Sequence, residues 1–181
     1  MKTLKNTLVR LEPLEMAHTS LLLPIAMEEK LVQYSPSDIE QPDTLRDYIA
    51  KALSDQADGN AIPFAIFDKR TKVYAGCTRY MNIDRINKVA EIGSTWIGRA
   101  FHGTGLNTAM KHLMLNHAFD ELGFEKVEFR IDERNMRSRK AVEKLGAVLE
   151  GVLRENVYLL DGYKRNTCCY GILKKEWESA P

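Results

Sequence analysis

Val89-Ala90-Glu91-Ile92-Gly93-Ser94-Thr95-Trp96-Ile97, then Gly98-Arg99-Ala100-Phe101, then His102-Gly103-Thr104-Gly105-Leu106-Asn107-Thr108: this stretch decides how the chain reads. The first nine residues have strand character, the next four connect, and the last seven open a strongly patterned helix. A glycine-bearing turn that feeds a helix N-terminus is an anion cradle. The first turn of a helix has free backbone N–H groups, and its dipole favours negative charge. Gly103 and Gly105 can take backbone angles that other residues resist, and they carry no side chain to hold a ligand off. A phosphate or pyrophosphate could therefore rest on the main chain of His102, Gly103, Thr104, Gly105, Leu106, Asn107 and Thr108. A plain strand-to-helix turn with no ligand fits the same residues. The turn is not a dinucleotide fingerprint, because Thr108 holds the third glycine position, and it is not a Walker loop, because no Lys-Ser/Thr follows Gly105.

Downstream, Leu106, Ala109, Met110, Leu113, Met114, Ala118 and Leu122 recur at intervals of three and four, which predicts one helix over residues 106–122 with Gly123 as its C-cap. Val127, Phe129 and Ile131 then alternate with charged residues, as in a strand. A shorter helix is predicted over residues 137–145, stopped by Gly146. Two strands come next, joined by Leu160-Asp161-Gly162-Tyr163, where Asp-Gly is a favoured hairpin turn. Upstream, Leu8-Val9-Arg10-Leu11 reads as a strand. Residues 14–27 are moderately helical, with Pro24 expected to break or end that helix. Pro42-Asp43-Thr44 starts a second helix that runs to about Asp55. Two further strands are centred on Phe64-Ala65-Ile66-Phe67 and on residues 73–81. The order β-α-α-β-β-β-α-β-α-β-β predicts a mixed sheet with helices on both faces.

The 181 residues predict a single domain, 1–181. Lys plus Arg total 26 against 25 Asp plus Glu, so the basic excess that a nucleic-acid partner needs is missing. No apolar run approaches the roughly 20 residues that cross a bilayer, and Met1-Lys2-Thr3-Leu4-Lys5-Asn6 lacks a signal-peptide core. The expectation is a cytoplasmic protein with no membrane and no nucleic-acid partner. Cys77, Cys168 and Cys169 form neither a CxxC pair nor a Cys/His ligand spacing, so neither a disulfide framework nor a metal site is expected.

Three more segments join the turn: Glu91-Ile92-Gly93-Ser94-Thr95-Trp96 before it; Asp132-Glu133-Arg134-Asn135-Met136-Arg137-Ser138 at the next strand-to-helix junction; and Lys144-Leu145-Gly146-Ala147 followed by Glu150-Gly151-Val152-Leu153-Arg154. In this order and spacing the chain resembles the GNAT superfamily of acyl-CoA-dependent N-acetyltransferases, and more narrowly its RimJ/RimL-like branch. Leu8-Val9-Arg10-Leu11-Glu12-Pro13-Leu14 and Ile172-Leu173-Lys174-Lys175-Glu176-Trp177 extend the resemblance to nearly the whole chain. It implies an α/β (α+β) fold with a mixed, mostly antiparallel central sheet of about seven strands and helices on both faces. It implies acetyl-CoA as co-substrate, no metal, an amine acceptor (a protein N-terminus or a small molecule) and a possible homodimer. By the same resemblance, Trp96 and Ile97 offer backbone groups to the pantetheine arm and the acetyl carbonyl, and Asn135 hydrogen-bonds that arm. Ala100 stands where the superfamily has Gln or Arg, and Val142 where many members have a thiolate-protonating Tyr. The branch's hydroxyl is Ser138, the candidate acid toward the sulfur.

Each of these residues also has a plainer reading. Asn135 is a favoured N-cap for the short helix after it. Ser138 is a serine at a helix start. Glu91, the candidate base for an incoming ammonium, could instead pair with Arg or Lys across the sheet. His102 could touch phosphate or simply be exposed. Arg137, Arg139 and Lys140 could meet a nucleotide phosphate or form a solvated face. Tyr158 and Tyr163 flank the final hairpin and could wall an acceptor pocket. A non-catalytic acyl-CoA-binding sensor would keep the cradle and Asn135 but would need neither Glu91 nor Ser138.

Overall fold

The computed structural model describes residues 2–179. Its eight strands form one open sheet in the order β1-β2-β3-β4-β5-β6-β8-β7. They are β1 Leu4–Lys5, β2 Val9–Pro13, β3 Ile62–Asp68, β4 Val73–Asp84, β5 Val89–Ile97, β6 Lys126–Asp132, β7 Val148–Tyr158 and β8 Lys164–Leu173. All neighbours are antiparallel except β5 and β6. The sheet has one strand more than expected, because the two-residue β1 pairs with β2 and is too short to carry a sequence pattern.

Five helices cover the sheet: α1 His18–Ala26, α2 Pro42–Ala57, α3 Leu106–Asn116, α4 Met136–Glu143 and α5 Lys174–Glu178. α1 and α2 close one face over Ala65, Cys77 and Trp96. α3, α4 and α5 close the other over Phe64, Tyr80, Ile92, Val127 and Phe129. The expected two-faced layering is what forms. Pro24 lies inside α1, which ends two residues later, so the proline marks the last turn rather than splitting the helix. The segment expected to be one helix over residues 106–122 changes pitch: α3 gives way to a π turn at His117–Glu121, closed by Leu122 N donating to His117 O at 3.0 Å. Spacings of three and four do not register one such widened turn. Gly123, at φ 72°, ends the segment as expected.

Two irregularities in β5 set up the site. First, its register against β4 passes from Cys77↔Trp96 to Arg79↔Gly93, so β5 uses one extra residue there. Ser94 takes up the bulge at φ 47°, a left-handed angle uncommon for a residue with a Cβ. Second, β5 and β6 pair only at Val89↔Lys126, Ala90↔Val127 and Glu91↔Glu128. Beyond that rung β5 stays with β4 as far as Ile97, while β6 stays with β8 as far as Asp132↔Thr167. The sheet therefore splits into a wedge with its apex at Glu91. Gly76 makes this packing possible, since a Cβ there would lie 1.9 Å from the Trp96 carbonyl oxygen.

Candidate active site

The wedge opens toward the C-terminal ends of two parallel strands, and the segments just beyond those ends line its mouth. Arg99 and His102 come after β5; Arg134, Asn135, Met136 and Arg137 come after β6. Together with Lys30, Leu31, Gln33 and Tyr34 they enclose a cleft of about 500 Å³. Four of these residues are lysine or arginine, so the cleft suits a ligand with several negative charges.

The loop of residues 102–105 begins at His102 on the lining of the cleft. Gly103 and Gly105 both have left-handed φ, 74° and 84°, and an added Cβ at either would meet nothing within 4 Å. Their amides have no partner among the described residues, whereas Thr104 is held by Oγ1 donating to Phe101 O at 2.8 Å. The Leu106 side chain is fully buried, so only its backbone can face a ligand, and its amide makes just a long 3.4 Å contact to Thr104 Oγ1. Asn107 and Thr108 complete the first turn, whose N–H groups lack intrahelical acceptors. The loop thus offers free donors over open space, and a polyanion fits it.

His102 is exposed, as one reading has it, yet its ring is held on both nitrogens. Arg137 Nη1 lies 2.7 Å from His102 Nδ1, and His102 Nε2 lies 2.9 Å from the Ile97 carbonyl. Arginine can only donate, so Nδ1 accepts and the ring proton sits on Nε2, directed at Ile97. The ring ties the end of β5 to the start of α4 and holds Arg137 in the cleft. It also occupies the Ile97 carbonyl, one of the backbone groups expected to face the ligand. Trp96 is 4% exposed, packs its indole toward Tyr48 Oη, 3.4 Å away, and has its carbonyl against Gly76 of β4.

Asn135 is a cap with a donor to spare. Its Oδ1 accepts from Ser138 N at 3.1 Å and caps α4, while Nδ2 has no partner among the described residues and the residue lines the cleft. Ser138 is half-buried, and its hydroxyl has no partner among the described residues. Arg139 turns away, with Nε on Tyr170 Oη and Nη1 on Glu133 O, both at 3.0 Å. Sequence reasoning assigns no role to Arg134, yet it closes the cleft's rim. It grips the buried Asp132 through two oxygens, at 3.1 and 2.8 Å, and its guanidinium lies 3.6 Å from the Tyr163 ring centroid and 5.5 Å from that of Tyr34. Burial alone would raise the Asp132 carboxyl, but the bonds from Arg134 outweigh it and hold it below the usual carboxylate range. The Asp-x-Arg spacing at a strand end is the available signal. Tyr163 therefore reaches the rim, while Tyr158 stays exposed beside Lys164.

At the apex, Glu91 is 7% exposed and accepts from Asn82 Nδ2 at 2.8 Å, with Arg130 Nε at 3.6 Å. Burial pushes its carboxyl up from the usual range despite these partners. A carboxylate so destabilised is a better proton acceptor. It does not line the cleft; it stands deeper, at the last shared rung of β5 and β6. No group of metal-ligating side chains exists among the described residues.

A single split sheet with a donor-rich helix entrance, a basic mouth and a buried carboxylate at its apex marks one class of α/β domain. The chain belongs to the acetyltransferase (GNAT) domain family, whose model matches residues 9–148. It is 36% identical over 97 residues to the Bacillus subtilis (strain 168) protein named "Putative ribosomal N-acetyltransferase YdaF", an overlap of 54% of this chain and 52% of that protein. The chain thus aligns with about half the length of that relative. The crystal structure of a GCN5-related N-acetyltransferase from Brucella melitensis is 28% identical, with a TM-score of 0.87 over 98% of this chain and 81% of that one. The acetyltransferase from Salmonella typhimurium that modifies the N-terminal serine of ribosomal protein L7/L12 shares the fold at 20% identity, with a TM-score of 0.85 over 95% of this chain and 99% of that one. No described helix is long and apolar enough to cross a membrane.

Proposed function

We propose that this protein is an acetyl-CoA-dependent N-acetyltransferase that moves the acetyl group directly to a primary amine, either a protein N-terminus or a small molecule. One observation carries the reading: β5 and β6 part at Glu91, and their divergent ends lead to the loop of residues 102–108 on one side and to Asn135 on the other. In this reading acetyl-CoA is the co-substrate and supplies the thioester. Amides of residues 103–108 take its pyrophosphate, Arg137 adds charge, and Asn135 Nδ2 donates to the pantetheine arm. By the resemblance, main chain at Trp96 and Ile97, the end of β5, would face the acetyl end, where fixed dipoles typically contribute a few kcal/mol. Glu91 removes the proton that the acceptor ammonium must lose, directly or through one water. Ser138 is the candidate to protonate the departing thiolate. The mechanism calls for no metal. The near-neutral charge speaks against a nucleic-acid partner; the expected setting is the cytoplasm, and a homodimer is an assembly that the resemblance allows.

The test is thiol release from acetyl-CoA with a panel of amines and N-terminal peptides, alongside calorimetry with CoA. Turnover with a subset of acceptors is the expected result. Tight CoA binding without turnover across the panel would favour a non-catalytic acyl-CoA sensor. Absence of both would remove the assignment.

A further inference from the structure

Lys111 stands where the fold calls for an apolar residue. It lies on α3 one residue beyond Met110 and three and four before Met114 and Leu115, all of them fully buried, and it is itself 5% exposed. Its amine is inside the protein, 5.4 Å from the Phe129 ring centroid on β6. Its hydrogen bond goes to β5: Nζ donates to Thr95 Oγ1 at 3.1 Å. Glu91, the carboxylate whose field reaches the amine, forms its ion pair with Arg130 instead. The Lys111 amine thus sits on the floor of the wedge, with a β5 hydroxyl on one side and a β6 ring on the other. A buried amine is unfavourable unless its surroundings compensate, and an apolar residue would pack there without that demand.

What the amine holds is the bulge. Thr95 comes directly after Ser94, the residue in the left-handed conformation. Thr95 Oγ1 lies 2.8 Å from Thr78 Oγ1, and Thr78 Oγ1 in turn lies 3.7 Å from Met114 Sδ. One direction of donation satisfies the whole row, from Lys111 to Thr95 to Thr78 to the Met114 sulfur. On the opposite face Tyr48 Oη of α2 donates to the Ser94 carbonyl at 3.3 Å. The bulged end of β5 is therefore pinned from both faces, by α3 through Thr95 and by α2 through Ser94. Beyond this bulge β5 runs on through Trp96, whose carbonyl lies against Gly76 of β4, to Ile97, whose carbonyl meets His102.

We propose that Lys111 is a positioning residue of the transfer reaction, fixing through Thr95 the bulged edge of β5 along which the acyl thioester is aligned. The inference rests on the acetyl-transfer reading and adds to it a residue that touches neither substrate. Burial draws the Lys111 amine down to about 7, against the opposing field of Glu91. It can therefore donate to Thr95 at neutral pH without a full buried charge. Thr95, Thr78 and Phe129 surround it, and Glu91 is the charge that reaches it.

The experiment compares wild type, Lys111→Met, Thr95→Val and the double variant by thermal melting, CoA affinity, and kcat and KM for acetyl-CoA. Lys111→Met is expected to melt at or above the wild-type temperature. It should bind CoA within about threefold of wild type and lose about tenfold or more in kcat, because the pyrophosphate cradle is untouched while alignment is lost. Thr95→Val should lose a similar factor, and the double variant no more than either single. A folded Lys111→Met with kcat within about twofold of wild type would overturn the proposal, as would fully additive losses. If Lys111→Met does not fold, Thr95→Val alone decides: wild-type kcat in that variant overturns it. The acetyl-transfer reading is judged separately on the wild type. A wild type that releases no thiol with any acceptor fails that reading and takes this inference with it.

Discussion

The mouth of the wedge and its apex use opposite physics. The mouth is open, positively charged and built mainly from main-chain donors: the free amides of Gly103 and Gly105, the first turn of α3, and the side chains of Arg137 and Asn135. The apex is buried and built from side chains that burial has pushed off their usual protonation ranges, with Glu91 raised and Lys111 lowered. A backbone cradle in water can hold a polyanion but cannot move protons. A buried carboxylate can move a proton but is ill suited to holding an anion. The division assigns binding to the mouth and chemistry to the apex, so a substitution in one should disturb its own task and spare the other.

The largest effect is expected at the apex. Glu91→Gln should lower kcat about a hundredfold at neutral pH, within the usual span for loss of a general base, and leave CoA affinity nearly unchanged. The loss should shrink at alkaline pH, where the acceptor amine is already neutral and needs no base. The wild type should lose activity on the acid side as the Glu91 carboxylate protonates, and the variant should lack that limb. Stability should move the other way. The folded protein holds the Glu91 proton more tightly than the unfolded chain, so burying the carboxylate destabilises as pH rises from the ordinary glutamate range through the raised folded value. Glu91→Gln should therefore melt higher than wild type at neutral pH, with the gap closing below the ordinary glutamate value of 4.5. A kcat loss with an unchanged pH profile would place the base elsewhere.

At the mouth, Gly105→Val should raise the CoA dissociation constant about tenfold or more, a loss of about 1.4 kcal/mol or greater, and leave kcat at saturation close to wild type. A branched residue resists φ 84°, at a cost of about 1–2 kcal/mol. Its Cβ would also project into the open space above the loop, where the ligand is expected. Unchanged affinity in a folded variant would break the assignment of the loop to the pyrophosphate.

The same division governs what is legible in the sequence. The parts of the mouth are local: two glycines before a helix, an asparagine at a helix start, a strand ahead of both. The faces of the sheet emerge from periodicity for the same reason. The apex is only half legible. Glu91 stands out in its strand, but the parting of β5 from β6 that leaves it at the apex depends on pairing between segments far apart in the chain, Val89–Glu91 with Lys126–Glu128, which no local pattern encodes. Lys111 escapes notice because a charge on an amphipathic helix is assigned to water by default. Its signal is its position, one step inside the stripe of Met110, Met114 and Leu115. His102 is visibly beside the loop, but nothing local shows that the Ile97 carbonyl and Arg137 face it.

The partnership of His102 with Arg137 provides the smallest and sharpest test of the comparison. Arg137 sits in an open cleft, so its charge is screened by salt, and Arg137→Ala should weaken CoA binding only about threefold at low ionic strength and less at high. His102 has both ring nitrogens engaged, one accepting from Arg137 and one donating to Ile97. Its contribution should therefore run through Arg137. His102→Ala should weaken CoA binding by no more than Arg137→Ala does, with the same sensitivity to salt, and the double variant should match Arg137→Ala alone. If the two losses multiply instead, His102 reaches the phosphates on its own, and the mouth relies more on side-chain charge and less on main chain than the geometry of residues 102–108 implies.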